Sequence, residues 1–216
     1  MNRPLRLATS ALAVSAALLL SSCGGSDDSK DSDKIAGADD GGAKKSEKPS
    51  EPASEVADRP KVDLPADLTY AFDWRKTGKK DHEAILADAE QSIKAVDMAI
   101  AEQDPANKAY RFYYEGEAAA QTQKFIKAYV DAKARTTGAY RYYDPTVSVD
   151  GSSASLVYCE DQSKAYDKYL KKDTVKKTPA TKNSYVLYAA KLQRNDAGVW
   201  VTTQLNSTRG SAKCQP

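Results

Sequence analysis

Histidine is almost missing from this chain: His82 is the only one in 216 residues, and the cysteines number three, Cys23, Cys159 and Cys214. That scarcity excludes a histidine-dependent triad and leaves too few ligands for a zinc site. No phosphate-cradling glycine loop occurs. The formal net charge is only +2 and no segment is strongly basic, so nucleic acid is not an expected partner. The longest apolar run, Leu7 to Leu20, has 14 residues, whereas a membrane-spanning helix needs roughly 20, so a polytopic membrane protein is excluded. Aromatic residues are sparse at 8%, and all 13 Tyr, both Trp and all 3 Phe lie from Tyr70 onward. Only that part can bury a core, and length and composition allow one ordinary domain plus much that is not domain. No cofactor and no metal ion is expected.

What is present begins with an address. Residues 1–22 join a short basic start to the apolar run and then to small residues before Cys23, the order of a secretory signal peptide. Leu20-Ser21-Ser22-Cys23 resembles the bacterial lipobox. The resemblance implies that Cys23 is linked to diacylglycerol, becomes the mature N-terminus and holds the chain on the extracellular face of the cell membrane. Two acyl chains give stable attachment where one does not. The competing reading is a soluble secreted protein with Cys23 a free thiol.

Residues 23–63 read as a tether. Between Gly24 and Arg59 ten acidic side chains face six basic ones, and Ile35 and Val56 are the only sizeable apolar residues. Such a segment buries too little surface to offset the entropy of ordering. As a flexible coil of about 40 residues it would reach roughly 35 Å, so the membrane contact would be lipid, with the domain held just off the bilayer.

The domain is expected over 64–216. From Ala84, the positions Leu86, Ala89, Ile93, Val96 and Ile100 recur at helical spacing, with Asp81 as N-cap and Asp104-Pro105 as the stop. A second amphipathic helix is expected from Glu117 to Lys133, ended near Gly138, with a short helix over Ala106–Tyr114 between the two. The period then changes to two. Strands are expected over Tyr140–Val149, broken by Asp144-Pro145, and over Ala154–Cys159, Tyr185–Leu192 and Val199–Leu205, connected as hairpins. The Lys-rich segment Gln162–Asn183 reads as an exposed edge strand or long loop. The expected class is therefore α+β: N-terminal helices packed on a curved antiparallel sheet, preceded by a disordered tether.

This succession resembles the nuclear-transport-factor-2-like cone fold, in which the sheet curls around a pocket that the helices close. Leu64 to Cys214 is also similar to secreted lipoproteins of high-GC Gram-positive bacteria that carry such a domain. The similarity lies in Gly138-Ala139-Tyr140-Arg141-Tyr142-Tyr143, in Tyr158-Cys159-Glu160-Asp161-Gln162-Ser163 and in Gly198-Val199-Trp200.

Cys159 closes a strand and Cys214 stands near the C-terminus, in a compartment where disulfides persist, so a structural bond between them is expected. The alternative is two separate reactive thiols. For chemistry, the cone resemblance implies a pocket Asp as base, with a Tyr and a second acid on an enolate oxygen; Asp144, Asp161 and Tyr114 can be cast in those parts, although spacing alone does not bring them together. Tyr is equally a packing residue whose hydroxyl reaches water. Two classes follow. The favoured one is a non-enzymatic, surface-anchored domain that binds a small molecule or an envelope component. The other is a small pocket enzyme of isomerase or hydratase type. A buried Asp and Tyr that converge, with a raised carboxyl pKa, would favour the enzyme.

Overall fold

The computed structural model describes residues 58–216. The signal peptide over 1–22, the lipidation site Cys23 and all but the last few tether residues lie outside the described residues. No helix among the described residues is long and apolar enough to cross a membrane.

A six-residue strand, β1 (Leu68–Asp73), comes first, followed by α1 (Lys80–Ala101), α2 (Lys108–Tyr113) and α3 (Gly116–Ala132). A sheet closes the chain: β2 (Ala134–Asp150), β3 (Ser153–Tyr169), the short β4 (Thr174–Lys176), β5 (Tyr185–Arg194) and β6 (Trp200–Arg209). The spatial order is β1-β2-β3-β5-β6, with β4 beside the far part of β3. The α+β class with helices laid on a bulged sheet is as the sequence implies, with one correction. The sheet is mixed, because β1 runs parallel to β2 with Tyr70 opposite Tyr140. Parallel neighbours need a long crossover, and the three helices supply it.

α1 is the central packing element because its buried side chains face two ways. Ile85, Leu86 and Ala89 meet Tyr142, Leu156, Tyr158, Leu192 and Trp200 of the sheet. Ala95, Met98, Ala99 and Ile100 meet Tyr110, Tyr113 and Tyr114 and Ile126 of α3. The expected N-cap Asp81 is not used: α1 starts at Lys80, and its capping position, Lys79, makes no side-chain cap. Helix α3 ends at Lys133, held in the left-handed conformation (φ 51°), and β2 begins at the next residue. Gly138 therefore does not terminate the helix. It sits inside β2 at φ 95°, where a Cβ would collide with the Lys164 carbonyl of β3, so only glycine fits there.

β2 and β3 are 17 residues each, about three times the usual strand. Two register shifts interrupt their ladder, and one of them, between Tyr143 and Thr146, carries Asp144 at φ 51°. Asp144-Pro145 thus makes a bulge inside a continuous strand, a device that bends a sheet without ending it. Gln162–Asn183 is likewise not a single loop: its first eight residues continue β3 and Thr174–Lys176 forms β4.

The packed domain also begins earlier than Leu64. Arg59 donates to both carboxylate oxygens of Asp88 at 2.8 and 3.1 Å. Asp88, only 1% exposed, also accepts the Trp200 backbone N–H at 3.0 Å. Val62 and Leu64 pack on the helical cluster. At the other end, Cys159 of β3 is bonded to the buried Cys214, and the Tyr143 hydroxyl donates to the Cys214 carbonyl.

Candidate functional site

Alternation along the strands decides what faces the helices. On β2, Thr136, Tyr140 and Tyr142 share a face; on β3, Tyr158, Glu160 and Gln162 do. Tyr142 stands directly opposite Glu160, and Tyr158 opposite Tyr188 of β5. A register shift between β5 and β6 beside Lys191 and Leu192 reverses the alternation of β6, so that Leu205, Ser207 and Arg209 turn to this same side. From α1 come Ile93, Val96 and Asp97, and from α3 Thr122 and Phe125. These residues enclose a cavity of about 430 Å³ between helices and sheet, within the range usual for small-molecule sites.

Two carboxyl groups lie in its wall. Asp97 accepts the Tyr70 hydroxyl at 2.6 Å and the Thr136 hydroxyl at 2.8 Å. Glu160 accepts the Tyr142 hydroxyl at 2.9 Å and, more weakly, that of Tyr188 at 3.3 Å. Both carboxyls are buried. Neither meets a Lys or Arg in an ion pair among the described residues. Removing a carboxylate from water without a counter-ion favours its protonated form. Burial accordingly pushes Glu160 up to about 7, with the Tyr142 hydrogen bond opposing and the Asp97 charge adding to the rise. Asp97 is raised for the same reason, against the pull of its Tyr70 and Thr136 donors. The phenols move further from ionisation: burial pushes Tyr114 up to about 12, and Tyr140, Tyr142, Tyr158 and Tyr188 well above their ordinary value. At neutral pH these tyrosines are donors and acceptors, not bases.

Of the three residues expected from the sequence, Tyr114 is in place: it is buried and lines the cavity. Asp144 is not. It sits exposed at the β2 bulge, where the left-handed backbone serves the bend. Asp161 is not either, because it is one residue beyond Glu160 and so turned to the opposite face of β3, where its carboxylate accepts the Ser163 N–H at 2.8 Å. Sequence reasoning missed Asp97 and Glu160. A signal existed for both. Asp97 interrupts the apolar stripe of α1 between Val96 and Ile100, and Glu160 continues the inward alternation Leu156-Tyr158. Among the described residues no group of three or more His, Cys, Asp or Glu side chains is placed to hold a metal ion, and the cavity offers no phosphate cradle. Its chemistry is that of phenols and carboxyls.

No protein-family model matches the chain, and no curated relative matches it. Solved structures do. A ketosteroid isomerase-like protein from Erwinia carotovora is similar over 62% of this chain and 98% of its own, at 14% identity and TM-score 0.43. The intermembrane-space region of the chloroplast protein ARC6 is similar over 61% and 98%, at 12% identity and TM-score 0.39. A nuclear transport factor 2-like superfamily protein from Salmonella enterica is similar over 60% and 94%, at 9% identity and TM-score 0.42. Likenesses at this level leave the activity of this chain to be argued from its own residues.

Proposed function

We propose that the chain is a lipid-anchored extracellular protein whose domain binds a small molecule in the cavity between its helices and sheet. The observation that carries the binding reading is the cavity itself, with Glu160 and Asp97 buried in its wall and held by phenol donors. Every carboxyl oxygen there already accepts a hydrogen bond from the protein, so Tyr70, Thr136, Tyr142 and Tyr188 are engaged in positioning the carboxyls. Nuclear magnetic resonance screening of the labelled full chain against small fragments is expected to give shifts centred on Tyr158, Glu160 and Leu205. Ser207→Trp, an exposed change that plugs the mouth, should weaken such hits at least tenfold and leave the melting temperature unchanged. Hits that bind Ser207→Trp as well as the original chain would place the site elsewhere and sink the reading.

A second reading, an isomerase or hydratase, is favoured by one specific observation: burial holds Glu160 near 7, and a general base works best with a pKa near the operating pH. It predicts turnover of a carbonyl or hydroxyl substrate that falls roughly 10² to 10⁴-fold in Glu160→Gln.

The anchor rests on Leu20-Ser21-Ser22-Cys23 and on an apolar run too short to span a bilayer. Mass spectrometry of the mature protein is expected to find its N-terminus at Cys23, carrying diacylglycerol. An unmodified N-terminus elsewhere would end the idea.

A further inference from the structure

A cavity wall with two buried acids and no partnered base is an unbalanced piece of electrostatics, since a buried carboxylate needs a counter-charge or must take up a proton. The one Lys or Arg in the wall is Arg209. It is exposed at the rim, with its guanidinium donating to the Asn183 carbonyl at 2.8 Å. The wall is otherwise dominated by tyrosine rings, Tyr114, Tyr129, Tyr140, Tyr142, Tyr158 and Tyr188, whose faces carry the negative lobe of the ring quadrupole. Tyr158 adds an independent feature. It is 5% exposed and lines the cavity, yet its hydroxyl has no hydrogen-bond partner among the described residues. It is not among the fully enclosed orphan groups, as the hydroxyl of Tyr113 is, so it opens onto the cavity as an unengaged hydroxyl whose oxygen can accept. Acidic groups, ring faces and a free phenol oxygen converge on one volume.

We propose that the cavity takes a small organic ammonium ion, with Glu160 and Asp97 supplying the charge, the Tyr158 hydroxyl a further acceptor, and the tyrosine rings the walls around its apolar body. This rests on the reading of the cavity as a binding site. An ammonium has three donors and no acceptor, which matches a wall that presents carboxyl oxygens and the Tyr158 hydroxyl while the Tyr70, Tyr142 and Tyr188 donors are committed to the carboxyls. A bound cation also removes the penalty of ionising Glu160. That residue is faced by Tyr142 from β2, Tyr188 from β5, Asp97 from α1 and Arg209 from β6. From α3 comes Tyr129, whose own hydroxyl donates to Asp167 at 3.1 Å, and from the junction between α2 and α3 Tyr114.

The test compares 2-phenylethylammonium with 2-phenylethanol, its neutral counterpart of nearly equal size, by calorimetry on the full chain. At pH 8 the ammonium ion is expected to bind at least tenfold more tightly than the alcohol. Protons compete with the ligand for Glu160, so its affinity should fall about tenfold between pH 8 and pH 6, while that of the alcohol does not fall. Glu160→Gln should sharply reduce both the preference and the pH dependence, with Asp97 sustaining what remains. Arg209→Gln, a rim change that leaves the core untouched, should tighten the ammonium and leave the alcohol unaffected; it decides the matter even where Glu160→Gln fails to fold. Equal affinities, an affinity for the ammonium that rises as pH falls, or no effect of Arg209→Gln would overturn the proposal. Binding of the alcohol alone, blocked by Ser207→Trp, would overturn the cation and leave the binding site standing. Binding of neither compound would overturn it too, and fragment hits blocked by Ser207→Trp would still keep the cavity as a site for other ligands.

Discussion

Cys214→Ser is expected to lower the unfolding free energy by about 4 kcal/mol, the chain-entropy value for a closed loop of this length. The bond to Cys159 spans 55 residues, and that loop contains β4, β5 and β6. Opening it frees the tail to leave β3, and the Tyr143 hydroxyl then loses the Cys214 carbonyl that it meets in the short turn Ala212–Cys214. The expectation is of a stability loss with no change in the membrane attachment proposed for Cys23, which lies at the other end of the chain. Urea unfolding of the oxidised protein, the reduced protein and Cys214→Ser should show the last two alike and both well below the first. A loss under 1 kcal/mol would mean that the tail is held by its packing and not by the bond.

Glu160→Gln should act in the opposite direction, and only at high pH. The folded state holds Glu160 near 7, above the ordinary 4.5, so between those values the folded chain keeps a proton that the unfolded chain has lost. The stabilisation linked to that proton is complete below about 4.5, drains as pH rises and is gone once pH passes 7. The difference is about 3 kcal/mol for a group this deeply buried. Gln keeps the shape and one acceptor oxygen for Tyr142 and never ionises. The variant is therefore expected to match the original chain at pH 4 and to exceed it by up to about 3 kcal/mol at pH 8. Asp97 is raised in the same sense and remains in the variant, so some decline with pH should survive. Urea unfolding at the two pH values reads this directly, and a variant less stable at pH 8 would contradict it.

The helices were legible because burial on one side imposes a period that no other structure shares. Leu86, Ala89, Ile93, Val96 and Ile100 place α1 within a few residues, and the expected Glu117–Lys133 lies close to Gly116–Ala132. Strand β1 was not legible. Its alternation Leu68, Tyr70, Phe72 is only three positions long, and the partner that makes it a strand lies 70 residues away on β2. Gly138 and Asp144-Pro145 misled for one reason: glycine, proline and left-handed residues mark bends as well as ends, and a long strand wrapped over helices needs bends. The site was half visible. Tyrosines and acids clustered in sequence, as the expectation required, but the choice between Glu160 and Asp161 is a choice of sheet face. A one-residue error of parity moves a carboxyl from the interior to the outside. Asp97 was hidden differently, since a lone acid within an apolar stripe reads as a helix-surface residue until the sheet that covers it is known.

The account depends on Glu160 being an interior, protonation-poised carboxyl in a small-molecule cavity. The most direct measurement is a titration of its side-chain carbonyl carbon by nuclear magnetic resonance in selectively labelled full chain, assigned by comparison with Glu160→Gln. The prediction is a midpoint of about 7 in the free protein, moved downward by 2-phenylethylammonium. A midpoint near the ordinary 4.5, unmoved by the ligand, would place Glu160 in contact with bulk water and contradict the cavity on which the account is built.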